Sequence, residues 1–183
     1  LIRNEANVKL NGSGSRADVL GVYLMDREQH IDNQVFIDHA QPDCSSNEMF
    51  KGILDDHASG VFNGHILVRQ DAQRTNAYQN NKNILISDKA VIDTKPFLEI
   101  YADDVKCSHG ATVGQLDSEA MFYLRSRGIG MENARMLLMY AFAAEIVNKI
   151  SIPELRLRID DLVKKRLRGE LSSCDQCVLH CNS

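Results

Sequence analysis

The sequence has no apolar run that could cross a membrane and no excess of basic residues. Its longest apolar stretch runs from Met136 to Ala144, far short of the roughly 20 residues that a transmembrane helix needs. The 21 Lys and Arg are outnumbered by 25 Asp and Glu, which gives a net charge of −4, whereas nucleic-acid binding normally requires clustered basic side chains. We therefore expect a soluble protein that binds neither membranes nor nucleic acid.

The chain also lacks the paired cysteine framework of a small secreted domain. Its five cysteines are Cys44, Cys107 and three within the last ten residues, and no secretion signal is visible. We expect free thiols in a reducing cytoplasm. Because the sequence starts at Leu1 instead of Met, we also expect it to lie in the interior of a longer gene product.

Motifs for familiar catalytic chemistry are missing as well. The glycines of Asn11–Ser15 lack the G-x-x-x-x-G-K-[ST] spacing that cradles nucleotide phosphates, and the sequence has no G-x-S-x-G nucleophile motif. Clusters of acidic residues along one strand face, which a carbohydrate-active β-helix enzyme would need, are not evident. The sequence therefore indicates neither an ATP-binding protein nor a sugar-cleaving enzyme.

What the sequence does contain is a β region followed by an α region. Across Val8–Gly114, short β-branched or aromatic runs alternate with Asn, Asp, Gly and Ser, which is typical of strands and turns. Similar runs begin at Gln34, Gly60, Asn83 and Asp103, in steps of 26, 23 and 20 residues. Such steps without intervening helices predict a stacked all-β solenoid, and a β-sandwich is the alternative.

The period of the apolar residues becomes helical after the β region. Asp117 is a good N-cap for a first helix that stops near Gly128. A second helix, Met131–Ile150, is apolar nearly all round and is predicted to be buried on most sides. Ser151 and Glu154 have the spacing of a capping box for a third helix. The predicted domains are a β domain at 1–114, a helical domain at 115–170 and a cysteine-rich tail at 171–183.

Cys107 and His109 form the first candidate site. Residues two apart on a strand share a face at a separation of about 6.6 Å, at ~3.3 Å per residue. The pair could therefore bind one metal ion or cluster, or the imidazole could lower the pKa of the thiol. Val105, Ala111 and Val113 have the same parity, so both side chains could equally be ordinary core residues.

The tail forms the second candidate site. Four soft ligands fall within eight residues, namely Cys174, Cys177, His180 and Cys181. A C-x-x-C pair suits zinc, iron–sulfur or redox chemistry, although structural zinc sites usually join two separated ligand pairs. An independent metal- or redox-active protein that uses this tail is therefore an alternative function.

Two stretches, Tyr101–Ile129 and Tyr140–Val147, contain the Cys-x-His element and the helical sequence FYLRSRGI. In these residues the chain resembles the SufB/SufD family of the Suf iron–sulfur cluster assembly machinery, and the resemblance extends more loosely over Val8–Arg168. SufB reads H-E-A-T-T where this chain has His109–Val113, so Gly110 stands in place of a glutamate. The resemblance is therefore to the C-terminal part of SufD, and no SufB-type carboxylate is carried over.

The resemblance implies a fold and a set of partners. It implies a right-handed parallel β-helix, truncated here, followed by a C-terminal three-helix domain. The helices would dock onto the ATPase SufC, and the β-helix would pair edge to edge with SufB or, in a homodimer, with a second copy. An N-terminal helical region and the first part of the β-helix would be missing from this chain.

The resemblance also implies roles for particular residues in a scaffold subunit without catalysis of its own. His109 would help to hold a nascent iron–sulfur cluster or its iron at the SufB–SufD contact, and Cys107 would be a second ligand or a packed interface thiol. The cluster would be transient and shared with SufB, with no cofactor bound tightly by the isolated chain. The residues implied at the SufC contact, of which the two arginines could instead cap their own helix, are Phe122, Tyr123, Arg125 and Arg127.

Overall fold

The computed structural model describes residues 1–171, which form eight strands and then three helices. The chain divides into two compact units, one at Leu1–Gln115 and one that begins at Leu116. All eight strands lie in the first unit. Their bounds are β1 Ile2–Leu10, β2 Arg16–Met25, β3 His30–His39, β4 Ser45–Leu54, β5 Ser59–Val68, β6 Thr75–Leu85, β7 Val91–Ile100 and β8 Val105–Gly114.

The strands form two four-stranded parallel sheets, in the orders β1-β3-β5-β7 and β2-β4-β6-β8. Successive strands alternate between the sheets, so each pair of strands makes one turn of a β-solenoid with four turns. This architecture confirms the predicted parallel solenoid followed by three helices. The β-sandwich alternative is wrong, because that fold is built from antiparallel strands.

The length of each turn differs from the predicted steps. Ile2 pairs with Ile31, a repeat of 29 residues, and Glu48 pairs with Gln79, a repeat of 31 residues. The predicted steps of 20 to 26 residues were wrong for two reasons. The step from Gly60 to Asn83 compares β5 with β6, which lie in different sheets. The other two steps join residues that are not register partners, since Gln34 pairs with Asn63 and Asn83 pairs with Val113.

Side chains on alternate positions of each strand fill the interior of the solenoid. In β5, for example, Gly60, Phe62, Gly64, Ile66 and Val68 are buried while the residues between them are not. Phe62 and Ile66 are fully buried, and burial of such side chains stabilises a fold by roughly 1.5–3 kcal/mol each. The alternation in β5 thus identifies the residues of this strand that face the interior.

The turns stack as regularly as the strands. Asp43 and Arg74 occupy equivalent left-handed positions one turn apart, with φ of 62° and 57°, and Arg74 Nε and Nη2 donate to the Asp43 carboxylate at 2.6 and 2.7 Å. On another corner, the backbone N–H of Arg27 donates to the carboxylate of Asp56 at 3.0 Å. Exposed ion pairs contribute little individually, and both contacts join residues in equivalent positions of neighbouring turns.

The second unit contains α1 at Ser118–Ser126, α2 at Met131–Val147 and α3 at Pro153–Leu167. Asp117 caps α1 as predicted, because its carboxylate accepts the backbone N–H groups of Glu119 and Ala120 at 2.9 and 3.1 Å. Gly128, at φ 84°, adopts the left-handed conformation that ends such a helix. Among these helices of the described residues, none is both long enough and apolar enough to span a bilayer.

Two predictions about the helices were wrong. Ser151 does not cap α3, since Ile152 is the N-cap residue and no side chain of the described part of the chain makes a capping hydrogen bond there. Proline at position 153 forces the residue before it into an extended conformation, which moves the helix boundary to that residue. Nor is α2 buried on most sides. Its buried residues are Ala134, Ala143, Ile146 and Val147.

Candidate functional site

The strand that carries Cys107 and His109 is the last strand of its sheet. β8 pairs along one side with β6, and within the described residues no strand pairs with its other side. Cys107 lies opposite Ala77 in the register, and His109 lies opposite Gln79. Because the β6 partners are buried and parallel strands in register point equivalent side chains the same way, both candidate residues lie on the interior-facing side of the solenoid end.

The two side chains differ in exposure. His109 is exposed, and within the described residues its ring makes no hydrogen bond or ion pair. Cys107 is partly buried and is not in a disulfide. Burial raises the pKa of the Cys107 thiol, and a hydrogen bond with the backbone of Ala77 opposes only part of that rise. The suggestion that the imidazole lowers the pKa of this thiol is therefore wrong.

A polar column lies behind His109. Across the strands β2, β4, β6 and β8, Val19 pairs with Glu48, Glu48 pairs with Gln79, and Gln79 pairs with His109 in the last strand of the sheet. Gln79 Nε2 donates to Glu48 Oε2 at 2.9 Å, and the two residues are 2% and 0% exposed. Within residues 1–171, Oε1 of Glu48 and Oε1 of Gln79 have no hydrogen-bond partner, a state that they share with one polar atom each of Asn33, His39 and Thr94. Buried polar atoms without partners are uncommon in proteins, and in this pair two of them lie on adjacent side chains.

The environment of the pair is narrow and desolvated. Burial raises the pKa of Glu48 to about 7, with the hydrogen bond from Gln79 opposing the rise. Gly64, on β5 of the facing sheet, provides the space: a Cβ added there would lie 2.2 Å from Gln79 Nε2 and 2.9 Å from Glu48 Oε1. Three positions on two sheets are thus matched to accommodate one polar pair.

Sequence reasoning did not single out Glu48, Gln79 or Gly64. Their relation depends on strand pairings 31 residues apart and on packing between the sheets. The local signal was a Glu and a Gln at interior positions of strands, but only the register shows that they are neighbours of each other and of His109.

Cys107 and His109 belong to two residue types, cysteine and histidine, that bind iron and iron–sulfur clusters. Within residues 1–171, no three His, Cys, Asp or Glu side chains converge as a metal site. The four tail residues of the second candidate site, Cys174, Cys177, His180 and Cys181, lie outside the described residues.

The residues implied at a partner contact lie on or next to α1. Phe122 is 75% exposed and Tyr123 is also exposed. Phe122 and Arg125 line a shallow depression on the surface of α1. The Arg127 guanidinium lies 5.0 Å from the centre of the Tyr123 ring and donates to its hydroxyl at 3.1 Å. Arg127 thus interacts with a side chain of the helix that it follows, whereas the aromatic ring of Phe122 is largely exposed.

Comparison with known proteins adds independent information. Residues 1–142 match the family model described as "SUF system FeS cluster assembly, SufBD core domain". The chain is 40% identical over 169 residues to the iron–sulfur cluster assembly protein SufD of Escherichia coli, a match that covers 92% of the chain and 40% of that protein. It is 41% identical over 166 residues to a SufBD family protein of Synechocystis, covering 91% and 37%, and 31% identical over 165 residues to SufD of Bacillus subtilis, covering 90% and 38%. The chain thus spans about two fifths of the length of these relatives.

Proposed function

Because the chain belongs to the SufBD core family of iron–sulfur cluster assembly proteins, we propose that it acts as a SufD-type scaffold in a complex with SufB and SufC. In this role it helps to hold a nascent cluster, or its iron, at the contact with SufB. The cluster is the cargo of the complex and not a resident cofactor. The observation that carries the proposal is that Cys107 and His109 share the interior-facing side of an edge strand.

His109 is the principal ligand in this proposal. The imidazole is exposed and makes no hydrogen bond within the described residues, so a ring nitrogen is available to iron. Cys107 has a secondary role, since its raised pKa keeps it a thiol until it meets a metal ion or a base. Cluster sites normally use four ligands, so SufB supplies the remaining ligands and the cluster is shared between the two chains.

The open side of β8 supports the contact with SufB. An unpaired edge offers a row of backbone N–H and C=O groups to an incoming strand. Val113 adds an exposed apolar side chain on β8 itself. A second copy of the chain could use the same edge, so a homodimer would compete with the SufB contact.

The helical unit supports the contact with SufC. Exposed aromatic rings are enriched at protein interfaces because they bury a large apolar area, and Phe122 and Tyr123 present two such rings next to each other. In this proposal the ATPase activity belongs to SufC, and the present chain transmits its movement without catalysing a reaction. The assembly operates in the cytoplasm, where thiols remain reduced.

The test is the iron and acid-labile sulfide content of the anaerobically assembled complex with SufB and SufC. We expect His109→Ala to assemble normally and to carry much less cluster than the unchanged protein. His57→Ala, which removes another exposed histidine in the turn before β5, is the matched control and is expected to retain full cluster content. An intact His109→Ala complex with unchanged iron and sulfide would reject the role of this residue.

A further inference from the structure

Side chains of register partners repeatedly bond to each other in this solenoid. Parallel strands lie about 4.8 Å apart, so equivalent side chains in neighbouring turns are close enough to form hydrogen-bonded ladders. The pairs that do so are Asn4 with Asn33 at 2.9 Å, His30 with Ser59 at 2.7 Å, Gln34 with Asn63 at 2.9 Å and Glu48 with Gln79 at 2.9 Å. A bond between register partners is thus a recurrent feature of this chain.

The column of Glu48 and Gln79 continues to His109, but the ladder of hydrogen bonds stops one residue earlier. Gln79 donates an amide N–H to Glu48, which leaves the amide oxygen of Gln79 for another donor. That oxygen is buried and has no partner among the described residues, and the side chain is 2% exposed. The next residue in the column is His109, whose imidazole makes no hydrogen bond in the same part of the chain.

We propose that Gln79 is a positioning residue for His109: its Oε1 accepts the Nδ1–H of the imidazole and so keeps the Nε2 lone pair directed out of the open end of the solenoid. The choice of Nδ1 follows the histidine ladder of the same chain, in which His30 Nδ1 bonds to its register partner Ser59. This inference rests on the proposed function, because it assigns the outward nitrogen to iron or to a cluster.

The chemistry of the acceptor suits this role. Histidine ligands normally donate their second N–H to a nearby acceptor, which fixes the tautomer and the ring orientation. An amide oxygen does so without adding a negative charge beside the cargo. Glu48 orients the amide, and Gly64 leaves the space in which the pair lies. The amide of Gln79, in the neighbouring turn, is thus already oriented to accept a hydrogen bond from His109.

The tautomer of His109 is the direct test. The chain is labelled with ¹⁵N-histidine, and long-range ¹H–¹⁵N spectra are recorded at about pH 8, where unperturbed imidazoles are neutral. His109→Ala identifies the His109 signals among those of the six histidines. We expect Nδ1–H to be the major form in the unchanged chain, the opposite of the Nε2–H form that free imidazole side chains favour.

Gln79→Met removes the acceptor while keeping an unbranched side chain, and it is expected to return His109 to the Nε2–H form. Gln34→Met is the matched control, since Gln34 forms a ladder with Asn63 on the outer face of the other sheet, and it should leave the His109 signals unchanged. If Nε2–H already dominates in the unchanged chain, or if Gln79→Met leaves the tautomer as it was, the inference is overturned. The first of these results needs no variant, so it decides the question even if Gln79→Met does not fold.

The two proposals can fail separately. If His109→Ala leaves cluster content intact, the proposed ligand role fails whatever the tautomer spectra show. If His109→Ala loses the cluster but the tautomer does not depend on Gln79, the ligand role stands and only the positioning role is rejected.

Discussion

Replacing Glu48 with Gln is expected to stabilise the solenoid above neutral pH and to have little effect at about pH 4. Glu48 is fully buried, and burial raises its pKa from 4.5 to about 7. In the folded chain the carboxyl therefore keeps its proton over a range of pH in which the unfolded chain has already lost it. A glutamine has nearly the same shape and still offers an oxygen to Gln79 Nε2.

The magnitude follows from proton linkage. Below pH 4.5 both states bind the proton, and the contribution of Glu48 to the free energy of unfolding is at its most favourable. Between 4.5 and about 7 only the folded state keeps the proton, so this contribution falls by about 1.4 kcal/mol per pH unit. Above about 7 the loss is complete, at about 3 kcal/mol for the shift given by the two pKa values. Glu48→Gln should recover most of that amount.

The assay is equilibrium urea unfolding, followed by the β-sheet circular dichroism signal at several values from about pH 4 to about pH 9. Burial lowers the pKa of His39 to about 4, so protonation of the unfolded chain makes every variant less stable as the pH falls from 6.5 towards 4. The difference between variant and unchanged chain removes this shared effect. Glu28→Gln, in the exposed turn before β3, is the matched control for the same substitution outside the interior.

A constant difference between Glu48→Gln and the unchanged chain across this range would refute the reasoning. That result would mean that Glu48 titrates alike in the folded and unfolded chains, so that its burial has no electrostatic cost. A loss of stability above neutral pH would show instead that the charged form is the one that the interior stabilises.

Two further predictions concern packing and partner binding. Gly64→Ala places a Cβ 2.2 Å from Gln79 Nε2 and should lower the free energy of unfolding by about 1–3 kcal/mol, as measured by urea unfolding. Gly114→Ala is the control, since its Cβ would meet no atom of the described residues within 4 Å, and it should not change the stability. Equal stabilities of the two variants would reject the close packing at Gly64. If SufC docks on α1 as proposed, Phe122→Ala should weaken its binding in calorimetry by at least tenfold without a change in fold, because truncation of a buried aromatic anchor has effects of this size. Leu157→Ala removes a similarly exposed side chain on α3 and should not weaken binding. Unchanged affinity for Phe122→Ala would reject the proposed contact at this residue.

The broad architecture could be predicted because its signals are local. Short β-branched runs end at Gly114, where β8 ends, and Asp117 begins a helix as its side-chain chemistry requires. The boundary of α3 could not be read from the capping pattern alone, since the proline after Ile152 outweighed the serine before it. Local backbone preferences thus compete, and the stereochemically stricter one decides the boundary.

The site could be predicted only in part, because half of it depends on register. Alternation along one strand is enough to place Cys107 and His109 on one face. The Glu48–Gln79 pair behind them depends on turns of 29 and 31 residues, which differ because the connections between strands differ. No local pattern specifies that difference, so the neighbours of His109 became visible only in the folded chain.

The order of strands in the sheets also determines how the end of the solenoid opens and closes. The turn formed by β7 and β8 packs on one neighbouring turn within the solenoid, whereas the turns of β3–β4 and β5–β6 each pack on two. In a stack with nearest-neighbour energetics, an end turn is held by one interface and opens at a lower free energy than an interior turn. A strand from another chain that pairs with β8 would add the missing interface, so that binding the partner and completing the cooperative fold of the last turn become the same event.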